Sequence, residues 1–281
     1  DERTWSKTEK ILFLGEWCLK YSRKHIWKNL DFEICKPFLN KKNKKISSVD
    51  EIFYLVQIFL PKLASLLNQY HKTNYSDRYW EILIGHWLIR FISSVSNRYY
   101  LLKYALDEYD ISNITFLKSR NYKIATLDTL SSVHATNCEI WNNMVFSKIY
   151  NYLSNKKINS HYINICDENF SYYIKQNRQL RFKKNVKNIF FNIFSKFTRD
   201  TDAVIFGSYL SLIDEIKLNL SFSQVPFQCT ENFGDFNFKY KRTNLTLSSS
   251  NSEISLYQFL NKIIFSAIPV AYVENYSEFK L

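Results

Sequence analysis

The stretch from Asp77 to Glu108 carries more apolar surface than a solvent-facing helix can hold. Trp80, Ile84, Trp87, Leu88, Phe91, Ile92 and Val95 recur at three- and four-residue spacing, the period of an α-helix. The face they make is broad, which predicts a helix buried between a sheet and other helices. Just before it, Asp50 to Gln69 repeats the pattern with Ile52, Leu55, Val56, Phe59, Leu60, Leu63 and Leu67. Pro61 sits inside this second stretch and predicts a kink or break there. Two such helices in tandem need a large core to receive them. A chain of 281 residues, 46% hydrophobic and 23% charged, supplies one and is not a disordered chain.

The remaining pattern alternates short apolar runs with helical ones. Residues 11–15 predict a first strand, with the apolar run Ile11–Leu14 leading into Gly15-Glu16-Trp17-Cys18. Lys118 to Asp128 reads as a short strand or loop, Asn137 to Tyr152 as a helix, and Asn164 to Asp167 as the close of another strand. Lys184 to Phe197 reads as a basic, Phe-rich helix. Ala203–Phe206 reads as a strand ending in Gly207-Ser208-Tyr209, followed by a helix from Leu210 to about Leu220. Pro226 to Lys241 reads as irregular. Ser250 to Ile268 ends in a helix that Pro269 stops, ahead of a last short strand at Val270–Val273. Short strands between longer helices define an α/β class with a mostly parallel sheet.

The net charge is +12. Many of the lysines fall in runs such as Lys41-Lys42-Asn43-Lys44-Lys45, Lys156-Lys157 and Lys183-Lys184, which a solvated face explains. Nucleic acid therefore ranks below an anionic small substrate, and a basic surface also suits a protein beside an anionic membrane leaflet. Five cysteines without a Cys-x-x-Cys pair speak against a disulfide framework and against a zinc ribbon, and fit a reducing cytoplasm. The five histidines are scattered, so no metal site is expected. No run of ~18 apolar residues is present to span a bilayer.

Open α/β sheets place their ligands at the carboxyl ends of their strands. On that rule Glu16 is the candidate general base, a single carboxylate within reach of an acceptor hydroxyl. A helix cap or an ion pair to Arg23 accounts for it equally well. Gly15 gives a tight turn and close backbone approach, but no Gly-x-Gly-x-x-Gly loop follows. Arg23 is a candidate for bidentate binding of a phosphate or sugar carboxylate, and Arg78 is another at a helix start; pairing with Glu16, Asp77 or Glu81 is the alternative. Trp17 offers a face on which a sugar can stack. Tyr79 points away from the Trp80/Trp87 face and so toward a cleft. Gly207, Ser208 and Tyr209 repeat the strand-end logic, although an ordinary turn explains them too. Glu274, with Asn275 and Tyr276, follows the last apparent strand. His86 reads as a satisfied surface histidine.

Two signatures carry a resemblance. Glu16-Trp17-Cys18 with Tyr21-Ser22-Arg23-Lys24, and Arg78-Tyr79-Trp80 with Ile82-Leu83-Ile84-Gly85-His86-Trp87, resemble the transferase family found in surface-polysaccharide and O-antigen gene clusters of spirochetes and other bacteria. The likeness extends over nearly the whole chain. One departure is His86, where that family tends to have Pro. The resemblance implies a Rossmann-like domain similar to the N-terminal, acceptor-side half of a GT-B glycosyltransferase. Residues 1–281 would be one such domain with a helical insertion at about 48–108, and the donor-binding C-terminal domain would lie beyond Leu281.

The function so implied is transfer of a sugar from a nucleotide-sugar donor to a surface-polysaccharide precursor. Glu16 and Arg23 would be catalytic. Gly15, Trp17, Arg78, Tyr79, Gly207, Ser208, Tyr209 and Glu274 would bind substrate. No tightly bound cofactor is expected, and the nucleotide sugar would be taken up by the full-length enzyme. The partner would be a carbohydrate acceptor, in one version lipid-linked, with the protein cytoplasmic or peripheral at the inner face of the membrane and the Lys183–Lys196 helix against it. The alternative is a non-catalytic binding or scaffold protein for an anionic glycan or lipid-linked carbohydrate.

Overall fold

The computed structural model describes residues 1–37, 42–118, 123–153, 158–165, 199, 202–203, 210–224, 242 and 255–276. The chain divides into two compact units, Asp1–Asn169 with Phe238–Leu281, and Phe170–Asn237.

The first unit is built around the helix predicted from the sequence. It runs over Asp77–Glu108 (here α3), opens on a Ser76 cap that accepts from the Tyr79 amide, and packs against α2 (Lys42–His71), α4 (Thr129–Ala135), α5 (Glu139–Leu153) and α7 (Ser255–Ala267). All seven apolar residues read from its periodicity are buried. Trp80, Trp87, Tyr99, Phe59, Tyr257 and Phe259 are the bulkiest fully buried side chains, and Phe59 stacks on Tyr257 with centroids 5.1 Å apart. Burial of such rings supplies most of the cohesion, at roughly 2–3 kcal/mol per large apolar side chain.

Of the kink or break expected at Pro61, the break is absent: α2 continues through it. Proline deprives the Gln57 carbonyl of its helical donor, but Gln57 and Pro61 both lie on the exposed face, where water takes that role.

The strands are parallel, as expected of an α/β chain. Among the described residues they form two separate two-stranded sheets rather than one sheet. β1 (Ile11–Phe13) pairs with β2 (Phe32–Ile34), in register Ile11 with Phe32. Two 3-10 turns, Glu16–Cys18 and Tyr21–Arg23, and the single-turn α1 (Lys24–Trp27) join them. β3 (Asn113–Lys118) pairs with β4 (Asn159–Asn164), with α4 and α5 in the crossover.

Several expected boundaries move. β1 stops at Phe13, short of Gly15. β3 ends at Lys118, where a strand was expected to begin, and β4 ends at Asn164 for the same reason. Val270–Tyr272 is a 3-10 turn and not a strand. Its Val270 and Ala271 amides donate to the Thr126 and Leu127 carbonyls, at 2.8 and 2.9 Å, while Val273 N–H folds back to the Val270 carbonyl. Short apolar runs do not separate strand from turn by period alone.

In the second unit, α6 (Leu212–Ser221) fulfils the helix expected after Leu210. The Gln224 side chain clasps both backbone groups of Ala203 and the Asn219 amide. The expected helix Lys184–Phe197, the strand residues after Ala203, Gly207-Ser208-Tyr209 and the segment Pro226–Lys241 lie outside the described residues. No helix among the described residues is long and apolar enough to cross a membrane.

Candidate functional site

Gly15 leaves the carboxyl end of β1 and turns the chain into the Glu16–Cys18 turn. Its backbone is extended, so a left-handed conformation is not what glycine is for here. The ring of Trp17 folds back over it, and a Cβ at Gly15 would fall inside that ring. Trp17 is nonetheless 63% exposed. Glu16 beside it is exposed and makes no ion pair among the described residues. A free carboxylate next to a free indole face, at the end of a parallel strand, can accept a proton from a hydroxyl of a ring stacked on the tryptophan.

Arg23 stands five residues beyond this turn, and its guanidinium is engaged. Nη1 donates to both carboxylate oxygens of Glu139, at 2.7 and 2.8 Å, and Nε lies 2.9 Å from Glu2. Lys20 Nζ joins the same Glu139 carboxylate. Glu139 opens α5, where the helix dipole favours an anion. Glu2 and Glu139 bring carboxylate oxygens close together with Asp1, and Lys20, Arg23 and Arg3 pair with that group. Burial acts to raise the Glu139 carboxyl, but the hydrogen bonds from Lys20 and Arg23 outweigh it and hold it at about 2. Burial raises the neighbouring Cys18 thiol.

This network has a pH signature. The Glu139 carboxyl is depressed from an ordinary 4.5, so its stabilising contribution is complete above pH 4.5 and is lost as pH falls toward 2. The contribution is ~1–2 kcal/mol once solvent screening of a half-buried pair is allowed for. Urea midpoints of wild type and Glu139→Gln are therefore expected to differ at pH 6 and to converge below pH 3.

A second set of candidates gathers where α2 meets α3. Asn68 is the hub. Its Oδ1 accepts from Thr73 Oγ1, the Tyr75 amide and Trp80 Nε1, at 2.9–3.0 Å, and its Nδ2 donates to the Tyr75 carbonyl. Tyr79 stacks on Tyr75 and shares a 2.6 Å hydrogen bond with the Tyr276 hydroxyl. His71 lies between Trp80 and Tyr276, bonds the Tyr272 carbonyl, and is lowered by burial. Burial first, then the Tyr79 hydroxyl, raises Tyr276. Glu274 is 6% exposed and grips Arg242, itself 2% exposed, through two hydrogen bonds. These side chains satisfy one another, so the cluster reads as a seam holding Tyr272–Tyr276 to the α2–α3 corner. Asn68→Ala leaves the buried Trp80 indole N–H without an acceptor, and is expected to cost about 2–3 kcal/mol in urea unfolding.

The candidates thus fall in two places. Gly15, Glu16, Trp17 and Arg23 stand together. Glu139, which holds Arg23, is one turn from Asn142, and Asn142 bonds Arg98 of α3. Arg98 is nineteen residues from Tyr79 along that helix, or roughly 28 Å. Arg78 is 72% exposed and pairs with Glu81, and His86 accepts from Arg90. Trp80 and Trp87 belong to the core. Gly207, Ser208 and Tyr209 lie outside the described residues. Glu139, Lys20, Asn68 and Arg242 were not read from the sequence. Partners more than a hundred residues apart, as Arg23 and Glu139 are, leave no local signal.

The family described as "LIC12162 family transferase" matches residues 1–281. No curated protein and no solved structure matches the chain.

Proposed function

The chain belongs to the LIC12162 transferase family, and from that premise we propose that the group it helps transfer is a glycosyl unit, moved from a nucleotide sugar to a hydroxyl of a surface-polysaccharide precursor. The observation that carries this reading is the juxtaposition of an exposed Glu16, which makes no ion pair among the described residues, with the exposed Trp17 at the carboxyl end of a parallel strand. An indole face suits the apolar face of a sugar ring, and an adjacent carboxylate suits removal of its hydroxyl proton. Arg23 is engaged by two glutamates, so in this reading it shapes the turn instead of reacting. Arg78, at a distance from that turn, pairs with Glu81 on the surface and would exchange that partner to meet an anionic group. Glu274 belongs to the buried seam.

In the GT-B plan, the parallel α/β architecture is the acceptor side of a two-domain enzyme, and the acceptor would be carried on a lipid at an anionic membrane face. The donor would be held largely by a further domain. The test is ligand-observed binding of this chain to a panel of nucleotide sugars and of phosphorylated or lipid-linked glycans. Saturable binding to an acceptor glycan, reduced in Trp17→Ala, is the expected result. Saturable binding to a nucleotide sugar by this chain alone would place the donor site here and overturn the acceptor-side assignment. Glycan binding by a protein that shows no transfer in its full-length form would favour the scaffold reading.

A further inference from the structure

We infer that Glu139 is a positioning residue for the Glu16–Trp17 turn, an inference that rests on the function proposed for that turn. The segment from Glu16 to Arg23 has little to hold it. It consists of two 3-10 turns of three residues each, closed by local bonds such as Leu19 N–H to the Glu16 carbonyl and Arg23 N–H to the Lys20 carbonyl. Turns this short do not sustain themselves, because each fixes several dihedrals for a single hydrogen bond. Trp17 is 63% and Tyr21 83% exposed, so these two rings supply little burial to compensate.

Beyond the bond that Trp27 Nε1 donates to the Lys20 carbonyl, at 2.9 Å, what ties the segment to the rest of the unit is charge. Lys20 and Arg23 both close on one carboxylate, that of Glu139, from 119 and 116 residues away. Glu139 is itself anchored as the first residue of a 15-residue helix whose Ile140, Trp141, Val145 and Ile149 are buried. The carboxylate therefore ties a loosely built turn to a rigid element. Charge-assisted bonds from two side chains to one carboxylate are directional, so they set the orientation of the turn as well as its distance. A general base must meet its proton within a few tenths of an ångström, and displacement by ~1 Å costs on the order of a hundredfold in rate. Glu139 reaches the chemistry only through Arg23 and Lys20.

The test uses Glu139→Gln, Arg23→Gln and the double variant, with Glu139→Asp as the conservative change. Amide exchange over residues 16–23 is expected to rise about tenfold or more in Glu139→Gln, with exchange in α3 unchanged. In the full-length enzyme kcat is expected to fall ~10–100-fold with KM nearly constant. Glu139→Asp is expected to recover part of it. The double variant is expected to lose less than the two single effects combined, since Glu139 acts in part through Arg23 and in part through Lys20. Unchanged exchange at residues 16–23 overturns the proposal whatever the activity does. So does faster exchange with full kcat in a setting where Glu16→Gln is inactive. If Glu16→Gln keeps full activity, the functional reading of the turn falls instead, and faster exchange still supports the tie.

Discussion

Glu274→Ala is expected to destabilise the protein by about 3–5 kcal/mol, lowering the thermal midpoint by on the order of 10 °C. Arg242 and Glu274 are 2% and 6% exposed, and their two hydrogen bonds measure 2.8 and 3.0 Å. Arg242 Nη1 also donates to the Phe265 carbonyl at 2.8 Å, and its guanidinium lies over the Phe265 ring. Removing the carboxylate takes two hydrogen bonds from a buried guanidinium, and the cost of burying the charge without them is the larger part of the effect. The double variant Arg242→Met, Glu274→Leu removes both charges and is expected to regain most of the loss, because apolar groups of similar volume substitute for a buried pair at little net cost. Urea unfolding of wild type, Glu274→Ala and the double variant checks this. Equal losses in the single and double variants would mean that packing, and not charge, holds Arg242. Function lost in Glu274→Ala is expected to return with the double variant, which separates a structural role from a substrate contact at this residue.

The contrast between Glu274 and Glu16 shows what the chain discloses before it folds. Long periodic segments are legible because every turn repeats the same message. The apolar positions of Asp77–Glu108 are buried as read, and those of α2 differ in no more than degree of burial. The three-residue β2 carries too few positions to show a period and was not anticipated, and the six-residue β3 and β4 were placed a few residues late. A carboxylate following an apolar run reads as the mouth of a strand, and at Glu16 it is one. At Glu274 the apolar run is itself a 3-10 turn whose amides are spent on Thr126 and Leu127, and the carboxylate that follows it turns inward to an arginine 32 residues back. Arg23 shows the same limit. A partner within a few residues was the natural alternative to an anionic ligand, yet the partners are Glu139 and Glu2. Tertiary ion pairing depends on where the chain returns, and local spacing does not encode it.

Glu16→Gln is expected to reduce kcat of the full-length transferase by about 10²–10⁴-fold, equivalent to roughly 3–5 kcal/mol of barrier. Stability should change by less than about 0.5 kcal/mol, because the side chain is exposed and pairs with no cation among the described residues. The amide keeps the shape and hydrogen-bonding capacity of the carboxylate but cannot take a proton. KM for the acceptor is therefore expected to hold, since ring stacking on Trp17 is untouched. Trp17→Ala is expected to do the reverse, raising KM with a smaller effect on kcat. The acidic limb of the kcat/KM profile reports the free enzyme's base, and should disappear in Glu16→Gln. Full activity in Glu16→Gln would remove the carboxylate from the reaction and leave the turn as a binding surface. A loss that follows unfolding would place Glu16 with Glu274 among residues that act through the fold. The two carboxylates were read from the same kind of sequence signal, and one pair of variants, each measured for stability and for turnover, tells apart the one that reacts from the one that holds.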